Sequence, residues 1–218
     1  MNNLIYQEDC LLTLKNEDII YDYIFTSPPD LNELGYDINQ IDLYKEFLYD
    51  RLYHMNPKKN VITFSLTDRK ANSKILSKSF IIKDIMFSLG YDLVSHKIWC
   101  KSLKQNLYRL NYSNVLTFGK GKIKNYKCRG FCPDVWIIKH SKYKNYGYGM
   151  PEEIPIRCIS QYTEINDVVY DPFFGSGTTA CACIKTNRNW IGTEIDSDVC
   201  DLAKNRLQMK GLLNGTLL

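Results

Sequence analysis

One stretch constrains the fold of this chain more than any other: Asp167 to Thr179, reading Asp-Val-Val-Tyr-Asp-Pro-Phe-Phe-Gly-Ser-Gly-Thr-Thr. Asp167 to Tyr170 has the apolar character of a buried strand, and Thr178 to Thr186 has that of a helix, so Gly175 and Gly177 occupy the turn between them. Glycine lets the backbone turn tightly there and approach a ligand closely. The free N–H groups at the helix start favour carboxylates and other polar ligand groups. A second strand, Trp190 to Thr193, ends at Glu194, and an acid at that tip can bind both hydroxyls of a ribose. Such a unit calls for an open parallel sheet that holds a nucleoside-containing ligand beyond the carboxyl ends of its strands. A nicotinamide dehydrogenase fits poorly. Too little chain follows Gly177 for the full dinucleotide fold, and Asp171-Pro172 stands where that fingerprint expects glycine.

A second segment, Thr26-Ser27-Pro28-Pro29-Asp30, closes another apolar strand, Tyr21 to Thr26. Consecutive prolines make a rigid loop without backbone donors at 28 and 29, which leaves carbonyls and the Ser27 hydroxyl to face a ligand amine. Elsewhere strand and helix patterns alternate, as in an α/β fold. Strands are expected at Leu4 to Tyr6, Asn60 to Ser65, Tyr91 to Lys101 and Asn114 to Phe118. Helices are expected at Cys10 to Leu14, Asp42 to Met55, over most of Ser73 to Gly90, at Pro151 to Tyr162 and at Ser197 to Met209, while 119–149 reads as irregular.

The chain has 218 residues, enough for one domain with a sizeable core. No apolar run approaches the roughly 18 residues of a membrane helix, and the acidic start MNNLIYQEDC lacks the apolar region of a secretory signal. An intracellular, cytoplasmic protein is expected. The eight cysteines form no C-x-x-C pair and no zinc-ribbon spacing, which reads as reduced, buried thiols and no metal. The net charge of +4 is mild, but its distribution is not even. Between Gly119 and Gly149, Lys120, Lys122, Lys124, Lys127, Arg129, Lys139, Lys142 and Lys144 stand against Asp134 alone, interleaved with aromatic residues. That composition suits phosphate contact and base-edge probing.

Together the two loops resemble the amino-methyltransferases of DNA, and the order, catalytic loop first and glycine loop near the C-terminus, resembles the β class. Tyr6 to Leu14, Ile98 to Lys101, Val115 to Gly121 and Met150 to Pro155 resemble the family's other motifs, with Met-Pro where His-Pro is common. The resemblance covers nearly the whole chain. It implies a Rossmann-like methyltransferase fold: a mostly parallel seven-stranded sheet with helices on both faces and circularly permuted motifs. The implied single domain has a catalytic half (1–118), a short basic insert (119–149) and a cofactor half (150–218). The implied cofactor is S-adenosyl-L-methionine, held by Asp9, Thr26, Asp171, Phe173, Gly175, Ser176, Gly177, Thr178 and Glu194. Ser27, Pro28, Pro29 and Asp30 would form the catalytic loop.

The reaction implied is methylation of a flipped-out base in DNA. Ser-Pro-Pro is typical of cytosine-N4 enzymes, and Asp- or Asn-Pro-Pro of adenine-N6 enzymes, so cytosine N4 is expected. Adenine N6, an RNA or single-stranded substrate, and a silent DNA-binding relative are the alternatives. The family usually places an aromatic residue after Pro-Pro to stack on the base. Here Asp30 stands there, and Tyr36 is the candidate substitute. Lys120, Lys122, Lys124 and Arg129 are the expected DNA contacts. The short insert leaves recognition to a few base pairs, a second copy of the chain or a partner.

Overall fold

Every residue of Tyr23–Thr26 and Val61–Leu66 is buried, as in strands covered on both faces. The computed structural model describes residues 3–71, 74–104, 110–123, 133–143 and 147–209. Its elements are β1 (Leu4–Tyr6), α1 (Cys10–Lys15), β2 (Tyr23–Thr26), α2 (Ile41–Tyr53), β3 (Val61–Leu66), β4 (Arg69–Ala71), β5 (Lys74–Leu76), α3 (Lys78–Ser88), β6 (Asp92–Cys100), β7 (Tyr112–Gly119), β8 (Val135–Ile137), β9 (Ser141–Tyr143), β10 (Gly147–Gly149), α4 (Glu153–Tyr162), β11 (Val168–Asp171), α5 (Thr178–Lys185), β12 (Asn189–Thr193) and α6 (Ser197–Met209). None of the described helices is long and apolar enough to cross a membrane.

The main sheet runs β1-β12-β11-β2-β3-β7-β6-β8. It is parallel from β1 to β3, antiparallel at β3/β7 and β7/β6, and parallel again at β6/β8. Because side chains alternate along a strand, the central strands feed two cores. Ile24, Ile62, Phe64 and Tyr170 pack with Leu48, Leu52, Ile82 and Met86 on one face. Tyr23, Phe25, Val169 and Trp190 pack with Ile159, Tyr162, Ala182 and Leu207 on the other.

The structure departs from the sequence reading in three places. An eighth strand, β8, extends the expected seven, because buried Trp136 pins it against Trp99 of β6. The interval 119–149, expected to be irregular, contributes β8, β9 and β10. The helix expected over most of Ser73 to Gly90 occupies only Lys78–Ser88, because Lys74–Leu76 pairs back on Arg69–Ala71 as a hairpin. Asp68 fixes that boundary, accepting from Ser77 Oγ (3.1 Å), Ser79 N (2.9 Å) and Ser79 Oγ (2.8 Å).

The glycine loop is anchored by Phe174, whose buried ring stacks on Trp190 with centroids 5.5 Å apart. The ring fills the space over Gly192, where an added Cβ would lie 2.1 Å from a ring carbon. Buried on all sides, the ring has no room to retreat. Gly192→Ala should therefore lower the unfolding free energy by about 1–3 kcal/mol, the usual range for overpacking. Urea denaturation against wild type measures it, and an unchanged midpoint would show that the ring moves freely.

Candidate active site

β2 and β11 lie side by side, with Ile24 opposite Tyr170. Their carboxyl ends are therefore neighbours, and a side-chain bond joins them: Thr26 Oγ1 donates to Asp171 Oδ1 at 2.6 Å, across 145 positions of sequence. Thr179 Oγ1 donates to Asp171 Oδ2 at 2.6 Å, and the Phe173 N–H to Oδ1 at 3.1 Å. Burial pushes the Asp171 carboxyl from the ordinary 3.8 up to about 6, although these three bonds oppose the rise. Thr26 and Asp171, expected to touch the cofactor, are buried and spend these polar atoms on tying the two loops together.

The glycines of the loop serve different needs. Gly175 has φ +51° with open space where a Cβ would point, the nearest atom being the Phe173 carbonyl oxygen at 3.9 Å. Gly177 has φ +73° and sits 3.3 Å, at that same point, from the Phe174 ring. The Gly175 N–H donates to Glu194 Oε2 at 2.8 Å, so the loop and the acid at the tip of β12 form one unit. Behind it, the nearly buried Arg206 donates to Ser176 O (2.8 Å), Ser176 Oγ (3.0 Å), Thr178 Oγ1 (3.0 Å) and Glu152 Oε1 (2.9 Å). Ser176 and Thr178 are thus held from inside the protein.

Asp9 caps α1 through the Leu11 N–H (2.9 Å) and pairs with Arg51 (2.8 Å). The Arg51 guanidinium lies 3.8 Å over the Phe47 ring, which in turn meets Phe173 at 6.3 Å. Asp9 and Phe173, far apart in sequence, so reach one side of the glycine loop through two residues of α2.

In the Pro-Pro loop, Ser27 is exposed and Pro28 buried. The Pro28 carbonyl, expected to be left to a ligand, accepts from Lys78 Nζ at 2.7 Å. The Pro29 carbonyl accepts from the Tyr44 hydroxyl at 2.8 Å. The Asp30 carboxylate is shared between Lys78 and Arg69, and its backbone N–H donates to Glu33 Oε2 at 2.7 Å, fixing the following turn. A cleft of about 450 Å³ adjoins this cluster, lined by Asp30, Tyr36, Tyr44, Arg69 and Lys78 among others. Tyr36 and Asp30 therefore share one cavity.

Two of the expected DNA contacts, Lys120 and Lys122, are not brought there. Gly119 pairs with Val61, the first residue of β3, so Lys120 and Lys122 emerge at the amino ends of the parallel strands, opposite the crevice. Lys120 donates to the Leu89 carbonyl (3.2 Å) just past the end of α3 and lies 5.3 Å over Tyr91. Lys124 and Arg129 lie outside the described residues. The reason is the antiparallel run of β7, which delivers residues 120–123 to the opposite pole of the sheet. Basic residues at the crevice end come from the β4/β5 hairpin (Arg69, Lys70, Lys74), from Lys101 and Lys104 after β6, and from Lys139 after β8. Sequence reasoning missed Lys78, Arg69, Arg206 and Tyr44. One signal pointed to Lys78: it opens α3, where the helix dipole disfavours a cation.

The N6_N4_Mtase family of DNA methylases matches residues 21–205 of this chain. The orphan methyltransferase M.BamHII of Bacillus amyloliquefaciens is 25% identical over 243 aligned residues, which cover 88% of this chain and 90% of that protein. Among solved structures, PvuII DNA methyltransferase (cytosine-N4-specific) superimposes with a TM-score of 0.81 at 16% identity, over 100% of this chain and 89% of the other. The M1.HpyAVI–SAM complex gives 0.68 at 25% identity, over 94% and 99%.

The Asp171 carboxyl has a measurable signature. Its folded pKa lies above its unfolded value, so the folded state binds the extra proton between about pH 4 and about 6. Its contribution to stability therefore falls as pH rises through that window, by on the order of 3 kcal/mol in total. Urea unfolding of wild type and Asp171→Asn across pH 4–7 should show this component in the wild type alone. Parallel pH profiles would show that the carboxyl titrates alike in the folded and unfolded chain.

Proposed function

The chain belongs to the N6_N4_Mtase family of DNA methylases, and from that premise we propose that it methylates an exocyclic amino group in DNA, cytosine N4 in particular, with S-adenosylmethionine as donor. The observation that carries the reading is the Thr26–Asp171 bond, which sets the exposed Ser27 and the glycine loop at one crevice. Ser27, in the Ser-Pro-Pro context, favours cytosine.

The residues present fit the cofactor. The open space over Gly175 admits a ligand close to the backbone, and Glu194, bonded to that same loop, offers its carboxylate beside it. Phe173, Phe47 and Asp9 would form the neighbouring wall, with Ser176 and Thr178 fixing the loop. When bound, S-adenosylmethionine supplies an electrophilic methyl carbon on a sulfonium. The protein's task is alignment and activation of a poor nucleophile, since the base amine's lone pair is delocalised into its ring. Ser27 and the Pro28 carbonyl accept hydrogen bonds from the amine, favouring a pyramidal nitrogen and stabilising the charge that develops on it. The amine's displaced proton leaves to water at the exposed Ser27. Reaching the crevice requires the base to leave the duplex, at a cost of a few kcal/mol. The cleft beside Asp30, with Tyr36 in its lining, is the pocket this reading assigns to the base ring.

The carrying experiment is incubation of the protein with DNA and cofactor, followed by nucleoside mass spectrometry. N4-methylcytosine is expected. N6-methyladenine would overturn the choice of base, and the absence of any methylated nucleoside would overturn the reaction. Saturating cofactor should also raise the melting temperature by mass action. Gly175→Val, strained at φ +51°, should abolish that shift.

The phosphate contacts are assigned to the crevice end. Neutralising Lys70, Lys74 and Lys104 together should flatten the log–log salt dependence of DNA binding by about 0.9 for each phosphate left without its lysine. Neutralising Lys120 and Lys122 should leave the slope unchanged, and the opposite pattern would place DNA at the other pole of the sheet.

A further inference from the structure

We infer that Lys78 reads the target base. Its ammonium nitrogen lies 2.7 Å from the Pro28 carbonyl oxygen, so a donor and an acceptor stand side by side next to the cleft that Lys78 and Asp30 line. Cytosine and adenine share the complementary pair on their Watson–Crick edges: an amino donor beside a ring-nitrogen acceptor. Thymine and guanine present the reverse, a carbonyl oxygen beside a ring N–H. The pair therefore matches the edge of an amino base and opposes that of a keto base. This inference rests on the reading that the cleft receives a flipped base.

The hydrogen-bond capacities allow it without breaking anything already formed. An ammonium has three N–H donors. One goes to the Pro28 carbonyl and one to Asp30, and the third can reach the ring nitrogen. The Pro28 carbonyl has two lone pairs, one engaged by Lys78 and the other open to the base amine. Only 7% of the Lys78 side chain is exposed, so its direction is fixed by packing.

The same arrangement gives Asp30 a purpose. The amine nitrogen gains positive charge as it is methylated, and an uncompensated ammonium beside it would oppose that charge. The Asp30 carboxylate, held between Lys78 and Arg69, supplies the compensating charge and holds Lys78 in line. Asp30 is thus a positioning residue, standing where the resembled family usually has a stacking aromatic.

The test is a substrate-by-variant cycle. Duplexes carrying the site that the wild-type protein methylates are made with the ring nitrogen of the acceptor base replaced by C–H: 3-deazacytosine for cytosine, or 1-deazaadenine for adenine. Wild type should lose about 10- to 100-fold in kcat/KM on the deaza duplex, the factor carried by a hydrogen bond to a charged group. Lys78→Met, checked for folding by its cofactor-induced thermal shift, should be slower on the parent duplex and indifferent to the deaza change. Asp30→Asn should narrow the ratio, and an unchanged ratio would remove Asp30 from the device. If Lys78→Met keeps the wild-type ratio, Lys78 does not touch the base. If Lys78→Met does not fold, wild type alone decides, because equal kcat/KM and equal affinity for the two duplexes overturn the inference. If wild type methylates no parent DNA, the proposed reaction falls and this inference falls with it. Methylation of parent and deaza duplexes at equal rates removes only the inference.

Discussion

The buried carboxylate of Asp171 is the point on which the site depends. It ends β11, takes the hydroxyl of Thr26 from the end of β2, and takes the hydroxyl of Thr179 from the first turn of α5. Three elements therefore meet at one acid. Burying an acid is costly unless donors surround it, and here both oxygens are engaged, which holds the cost to a moderate rise in pKa. The cost has a structural return, because a charge with these requirements tolerates few arrangements of the two loops. The Pro-Pro loop and the glycine loop are aligned because the acid between them is satisfied only when they are.

Much of this was legible in the sequence. The strand-glycine-helix pattern at Asp167 to Thr186 called for the parallel sheet, since it is a local pattern with one geometry, whereas the meeting of the two loops at one site was what the family resemblance implied, not a local pattern. Apart from the hint at Lys78, which opens α3, the partners within the site were not legible. Lys78, Arg69 and Arg206 are charged residues whose roles come from contacts far away in sequence: Lys78 with Pro28, Arg69 with Asp30, Arg206 with Ser176 and Glu152. Nothing local distinguishes an arginine that clamps a loop from one in water. The hairpin before α3 was hidden for a related reason. Its three-residue strands are too short to show a period, and the capping acid, Asp68, lies outside the helix it starts.

The position of Lys120 and Lys122 follows from sheet polarity. In an all-parallel sheet, each strand's following loop emerges at the ligand-binding end. β7 runs against β3, with Leu66 opposite Asn114 and Val61 opposite Gly119, so the loop after β7 emerges at the other end. Composition alone identified a basic, aromatic stretch but carried no information about direction. The same reversal leaves residues 101–104, after β6, at the crevice end, where Lys101 Nζ donates to Thr67 Oγ1 at 3.0 Å, just before the β4/β5 hairpin. β8 runs parallel to β6, so Ile138 and Lys139 after it return to that same end.

The electrostatics of the Pro-Pro loop explain why Asp30 belongs there. A buried ammonium without a partner would be strongly destabilising, and Lys78 is buried with its nitrogen against the Pro28 carbonyl. A carbonyl dipole alone is a weak counterweight to a full charge. The carboxylate slightly further along the same loop, itself shared with Arg69, closes the balance. An aromatic ring at position 30 could stack on a base but could not neutralise Lys78. In this chain the charges at positions 30 and 78 depend on each other: without the Asp30 carboxylate, Lys78 would lose its charged partner in the loop. Asp30 is one half of a charge pair, and an uncharged side chain at position 30 could not neutralise Lys78.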